Sequence, residues 1–163
     1  MGTFQVRFEE TKLDDVLRAA SAGKIWSQGD ASEHITWLCY TNLSATRVER
    51  VWIISGEMGG GEYVTEVKAE LLPNGSATAD CPALPDNLKP LSLDNQLWLD
   101  TPEGAAVEKL GAASFQKDAW RVYGFEGKVP GKCEGGFDLT NTLMLRLKDG
   151  RVNSLGAFHI TSC

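Results

Sequence analysis

Two periodicities share this chain. Residues 34–41, 47–55 and 63–71, and again 120–125, 142–148 and 151–160, are rich in apolar, β-branched and aromatic residues and predict strands. A period of two, which sends successive side chains to opposite faces, shows in Leu143, Leu145 and Leu147. Phe4, Val6 and Phe8 alternate with Gln5 and Arg7 and predict a short half-buried strand or an extended lead-in. Leu13, Val16, Leu17 and Ala20 recur instead at helical spacing. Thr11 is predicted to cap this helix, with Asp14 in capping-box position, Asp15 favouring the positive helix end and Gly23 as its stop. A second stripe, Ala106, Val107 and Leu110, lies between Asp100-Thr101-Pro102 and Gly111. Proline in the first helical position and glycine just past the last suit a helix there. The glycine-rich stretch 56–62 and the pair Asp149-Gly150 predict hairpin connections.

The same order of elements occurs twice. Thr11 corresponds to Thr101, Trp37-Leu38-Cys39-Tyr40 to Trp120-Arg121-Val122-Tyr123, and Val64 and Val67 to Val152 and Leu155. Between the halves stand Pro73, Pro82, Pro85 and Pro90, four of the six prolines, in a stretch unsuited to helix or central strand. The pattern predicts a tandem duplication with an α+β fold. Each unit places a helix before an antiparallel sheet, at residues 1–75 and 96–163, with 76–95 a Pro-rich linker.

The run Phe4-x-x-x-Phe8-Glu9-Glu10-Thr11, followed by Val16-Leu17 and Gly23, resembles the opening motif of the secreted β-lactamase inhibitor proteins and the BamE-type outer-membrane lipoproteins. The resemblance implies a helical lead-in followed by an antiparallel sheet, two such units in tandem in the inhibitor case, and a non-catalytic role in binding another protein.

Composition narrows the function classes. Of 163 residues, 42% are apolar and 23% charged, as in folded globular proteins, which excludes a disordered or coiled-coil chain. Sixteen Lys and Arg against 22 Asp and Glu leave a net charge of −6, which disfavours nucleic acid and anionic membrane as partners. No run of 18 apolar residues predicts a membrane span. The cysteines, Cys39, Cys81, Cys133 and Cys163, include no C-x-x-C pair, which argues against zinc. Three connectivities are open, and four reduced thiols are the alternative. Cys39–Cys81 and Cys133–Cys163 are favoured because each pair stays within one half. Bridges imply an oxidising compartment, yet the Met1-Gly2-Thr3-Phe4 start lacks the basic and apolar regions of a signal; a periplasmic or secreted protein with its leader removed is favoured, and a cytosolic one is the alternative.

The search for chemistry returns little. His34 and His159 are the only histidines, and pairing either with Cys39 or Cys133 would suit a nucleophile. Structural histidines and bridged cysteines are the plainer reading. The 56–61 glycines lack the Lys-Ser/Thr ending of a phosphate loop. Glu9, Glu10, Asp14 and Asp15 stand at a helix entrance, where solvated carboxylates are ordinary. These readings predict no enzyme, no cofactor and no metal site. The candidate function is instead a surface. Leu143, Leu145 and Leu147 should face the helix, which turns Met144 and Arg146 outward, while Arg121, Tyr123 and Phe125 share one face of their own strand. If both sets point away from the helix they form an aromatic, partly basic binding face, joined by Tyr40 and Trp52. Packing of Tyr123 and Phe125 between the halves is the competing expectation. The predicted function is an inhibitor or antagonist of another protein acting by occlusion. A structural envelope component of the BamE kind and a small-molecule binder are the alternatives.

Overall fold

The computed structural model describes residues 4–30, 33–44, 47–56, 60–73, 75–94, 96–131 and 135–163. Eight strands form one sheet: β1 (Trp26–Gln28), β2 (Ile35–Leu43), β3 (Val48–Ser55), β4 (Glu66–Leu72), β5 (Phe115–Lys117), β6 (Trp120–Val129), β7 (Phe137–Lys148) and β8 (Arg151–Ser162). Every named pair is antiparallel and the order is β1-β2-β3-β4-β8-β7-β6-β5. Among the described residues the α-helices are two eight-residue pieces, α1 (Leu13–Ala20) and α2 (Glu103–Leu110), with a single 3-10 turn at Asp86–Leu88.

This corrects the α+β expectation. The fold is largely β, because the strands of the two halves do not close into separate helix-backed sheets. β4 pairs directly with β8, from Glu66 opposite Phe158 to Glu70 opposite Ser154, and fuses them into one ladder. Helical propensity contributed two short covers instead of half of each unit.

One face of the sheet carries both helices. Its core is built from Leu13, Val16 and Ala20 of α1 and Ala106 of α2 against Leu38, Tyr40, Val51, Ala69, Leu145 and Leu155 of the strands. The start of α1 lies one residue later than predicted. Thr11 Oγ1 accepts the Arg7 amide at 2.8 Å and closes a preceding turn, while Asp15 accepts the Lys12 amide at 3.2 Å. Ser21, at φ 51°, ends α1 before Gly23 is reached, whereas Gly111 caps α2 as predicted. Both helices are anchored at their starts by the segments that lead into β4 and β8. The Val64 amide donates to Thr11 and the Leu13 amide to Glu62; likewise Val152 donates to Thr101 and Glu103 to Gly150.

The residues predicted as a linker are fastened at several points. Leu84 and Leu88 are buried, and Pro82 and Leu84 exchange backbone hydrogen bonds with Thr41 along the outer edge of β2. The Cys39–Cys81 disulfide pins that edge. No described cysteine is a free thiol, and Cys133 lies outside the described residues. Asn87 Nδ2 donates to the Ala19 carbonyl at 3.0 Å near the end of α1. The lead-in expected as a half-buried strand or extended segment forms no strand through Arg7 and turns at Phe8–Glu10, while the edge strands β1 and β5 appear where none was predicted. Among the described residues, no helix is long and apolar enough to cross a membrane.

Candidate functional site

Cross-strand register decides which side chains share a face, because directly opposed residues in an antiparallel ladder point the same way. Arg121 opposes Leu145, Tyr123 opposes Leu143 and Phe125 opposes Asn141. Leu145 is buried beneath the helices, so Arg121, Tyr123 and Phe125 belong to the helix-covered side. Arg121 confirms this by pairing with Glu103 of α2 at 2.9 Å. Met144 and Arg146 alternate with the leucines and point to the other, open side. The predicted seven-residue face is therefore split between two sides of the sheet.

Tyr40 belongs to neither surface. It is fully buried, its hydroxyl donates to the Ala22 carbonyl at 3.0 Å, and burial pushes its phenol up to about 12. Tyr123 is half-buried against the core, and loss of solvent raises its phenol as well. Trp52, Met144 and Arg146 are the members that the open side brings together.

That open side contains a groove of about 470 Å³. A single row crosses its floor: Trp52 on β3, Lys68 on β4, Gly156 on β8 and Met144 on β7, each opposed to the next. Gly156 creates the depression, since it has no side chain to raise between its neighbours. The Met144 methyl lies 3.4 Å from where a Cβ would stand. Trp37 and Ile35 form one wall and Trp120 the other. Trp120 is 40% exposed and Ile35 is 41% exposed. The Arg146 guanidinium lies over the Trp120 ring at 5.9 Å from its centroid, a cation–π contact that orients the indole. Trp26 opposes Trp37, so four of the five tryptophans point to this side. The charged lining residues are Lys68, paired with Glu66 at 3.1 Å, and Glu70.

Trp37 and Trp120 were missing from the sequence-derived site, although a signal was present. Trp37-Leu38-Cys39-Tyr40 and Val51-Trp52-Ile53-Ile54 are apolar on both parities. A strand with plain solvent on one side would alternate there, so the unbroken runs mark a second apolar face.

The residues considered for chemistry lie elsewhere. Cys39 is bridged to Cys81 and offers no thiol to a histidine. His159, on the helix side of β8, pairs through Nδ1 with Asn141 Oδ1 and lies 3.5 Å through Nε2 from Glu9. His34 stands 3.5 Å from the Gly29 carbonyl. Among the described residues, no group of three or more His, Cys, Asp or Glu side chains is placed to hold a metal ion. The groove itself presents indoles, a thioether and one ammonium–carboxylate set, which are groups for contact.

No family model, no curated protein and no solved structure matches this chain.

Proposed function

We propose that this protein is a binding module that docks another protein on the open face of its sheet and acts by occlusion, as an inhibitor or antagonist. The carrying observation is the groove walled by Trp37 and Trp120 and floored by Trp52, Gly156 and Met144. Tryptophan, methionine and arginine are the residues enriched where protein interfaces desolvate, and three indoles on one rigid sheet supply anchors at little entropic cost. A rigid face favours affinity because few side chains need ordering on association. The Cys39–Cys81 bridge supports a periplasmic or secreted setting, where such bonds persist.

The test uses benzophenone cross-linkers placed singly at position 120, on the open face, and at position 107, on the exposed outer side of α2. Exposure to periplasmic or culture extract should give one stoichiometric adduct from position 120 and none from 107. Replacement of Trp52 by Ala should abolish that adduct without unfolding the protein. Adducts of equal yield from both positions, or none from 120, would overturn the assignment.

A further inference from the structure

The opposite side of the sheet carries a second concavity, unconnected with the docking face. The two longest strands, β7 and β8, have twelve residues each and run past the end of the helical cover. Beyond that cover lie two rows of opposed residues: Tyr123, Leu143 and Ala157, then Phe125, Asn141 and His159. The Phe8 ring stacks against the His159 imidazole at 6.0 Å between centroids, and Leu93, Asp94 and Leu110 stand around the rows. Together they bound a cleft of about 560 Å³, a size suited to a small organic ligand.

Three aromatic side chains, Phe8, Tyr123 and Phe125, line this cleft, and Phe125 is 59% exposed. Among the described residues, the lining includes one carboxylate, Asp94, and no Lys or Arg. Arg121, the nearest guanidinium along β6, is turned to Glu103 at 2.9 Å. Aromatic faces carry negative potential, and several of them with a carboxylate form the recognition chemistry of quaternary ammonium groups. An anionic ligand would meet the aromatic faces, Asp94 and a chain of net charge −6, while a neutral one would leave the carboxylate unused. We propose that the cleft bounded by Phe8, Tyr123, Phe125 and Asp94 binds a small methylated ammonium cation. The Asn141 amide, between Phe125 and His159 in the second row, supplies a polar contact for the remainder of such a ligand.

The probe is choline, titrated calorimetrically into the intact protein. Its neutral isostere 3,3-dimethylbutan-1-ol has the same shape and no charge. Choline should bind about tenfold or more tightly than the isostere, and Asp94→Asn and Phe125→Leu should each weaken it about fivefold. Both side chains are exposed enough for the variants to fold, which thermal melting checks. Amide resonances of residues 123–125 and 141–143 should shift on titration. Co-sedimentation with phosphatidylcholine vesicles would identify the cation as a lipid headgroup, and choline binding without co-sedimentation would identify it as a free solute. Equal affinity for the isostere, or choline binding unaltered in both variants, would overturn the proposal.

Discussion

The indole Nε1 of Trp98 donates a 3.1 Å hydrogen bond to the buried carboxylate of Glu49, joining the segment that leads into α2 to the start of β3. Asn42 Nδ2 donates to the same oxygen at 2.8 Å, and Arg47 Nε lies 2.9 Å from the other. Arg47 in turn reaches Asp100, whose other oxygen takes Arg151 Nε at 2.6 Å. The hydrogen bond from Arg151 holds the Asp100 carboxyl below its ordinary range, with the charges of Arg151 and Arg47 adding to it. A carboxylate buried this deeply is tolerated because it is paired and hydrogen-bonded on both oxygens.

Trp98→Phe should therefore cost more than its small change in volume. It removes a donor to a charged, buried acceptor, and such bonds are worth about 1.5–3 kcal/mol. The measurement is urea unfolding: a lower midpoint with an unchanged slope is expected, and an unaltered midpoint would show that Glu49 is satisfied without the indole.

Tyr123 and Trp120 are three residues apart on one strand and should respond in opposite ways. Tyr123→Ala opens the helix-side core and should cost about 2 kcal/mol of stability, since the ring is only half-buried, with partner affinity of the folded fraction retained. Trp120→Ala should leave stability within about 1 kcal/mol, yet weaken partner binding by about 2 kcal/mol. Reversal of the two outcomes would place the binding face on the helix side.

Reduction of Cys39–Cys81 releases a crosslink between residues 42 apart in sequence. Chain entropy values such a loop at about 4 kcal/mol. The Cys39→Ser/Cys81→Ser double variant should melt well below the oxidised protein, and hydrogen exchange should rise first at Thr41 and Leu84, whose amides bond across that edge. Unchanged protection there would mean that the backbone bonds hold the edge alone.

Tyr40 predicts a loss of stability in alkali. Its phenol titrates at about 12 in the folded chain, raised by burial from its ordinary value near 10. The contribution is fully present below the unfolded value and is lost as pH rises through the folded one, because ionisation then favours the unfolded state. The total is about 2–3 kcal/mol at 1.36 kcal/mol per pH unit. Tyr40→Phe should be less stable at neutral pH by about 1 kcal/mol, through loss of the bond to Ala22, and should lack the steepest part of this alkaline decline. An identical pH profile in the variant would show that another group governs it.

Apolar, β-branched and aromatic stretches along the chain were enough to locate β2, β3, β4, β6, β7 and β8. Asp149-Gly150 predicted the β7–β8 hairpin, and both residues take positive φ, 51° and 70°, as a two-residue turn of that kind demands. The Cys39–Cys81 pairing followed from keeping each bridge within one half of the chain. Period two also grouped Arg121, Tyr123 and Phe125 correctly on one face. It carried no information on which face, because a strand's pattern is unchanged when the whole strand is turned over. That choice rested on opposition to Leu143 and Leu145 across β7, a register set by long-range pairing and by burial of Leu145 in the helix-side core. The fusion of β4 to β8 was equally invisible in sequence, since edge hydrogen bonds are made by backbone groups that every residue shares. Sequence thus determined six of the eight described strands and the grouping of side chains within a strand. The tertiary structure decided which grouping met the helices and which was left open, because only assembly of the whole sheet determines where its apolar surface is covered.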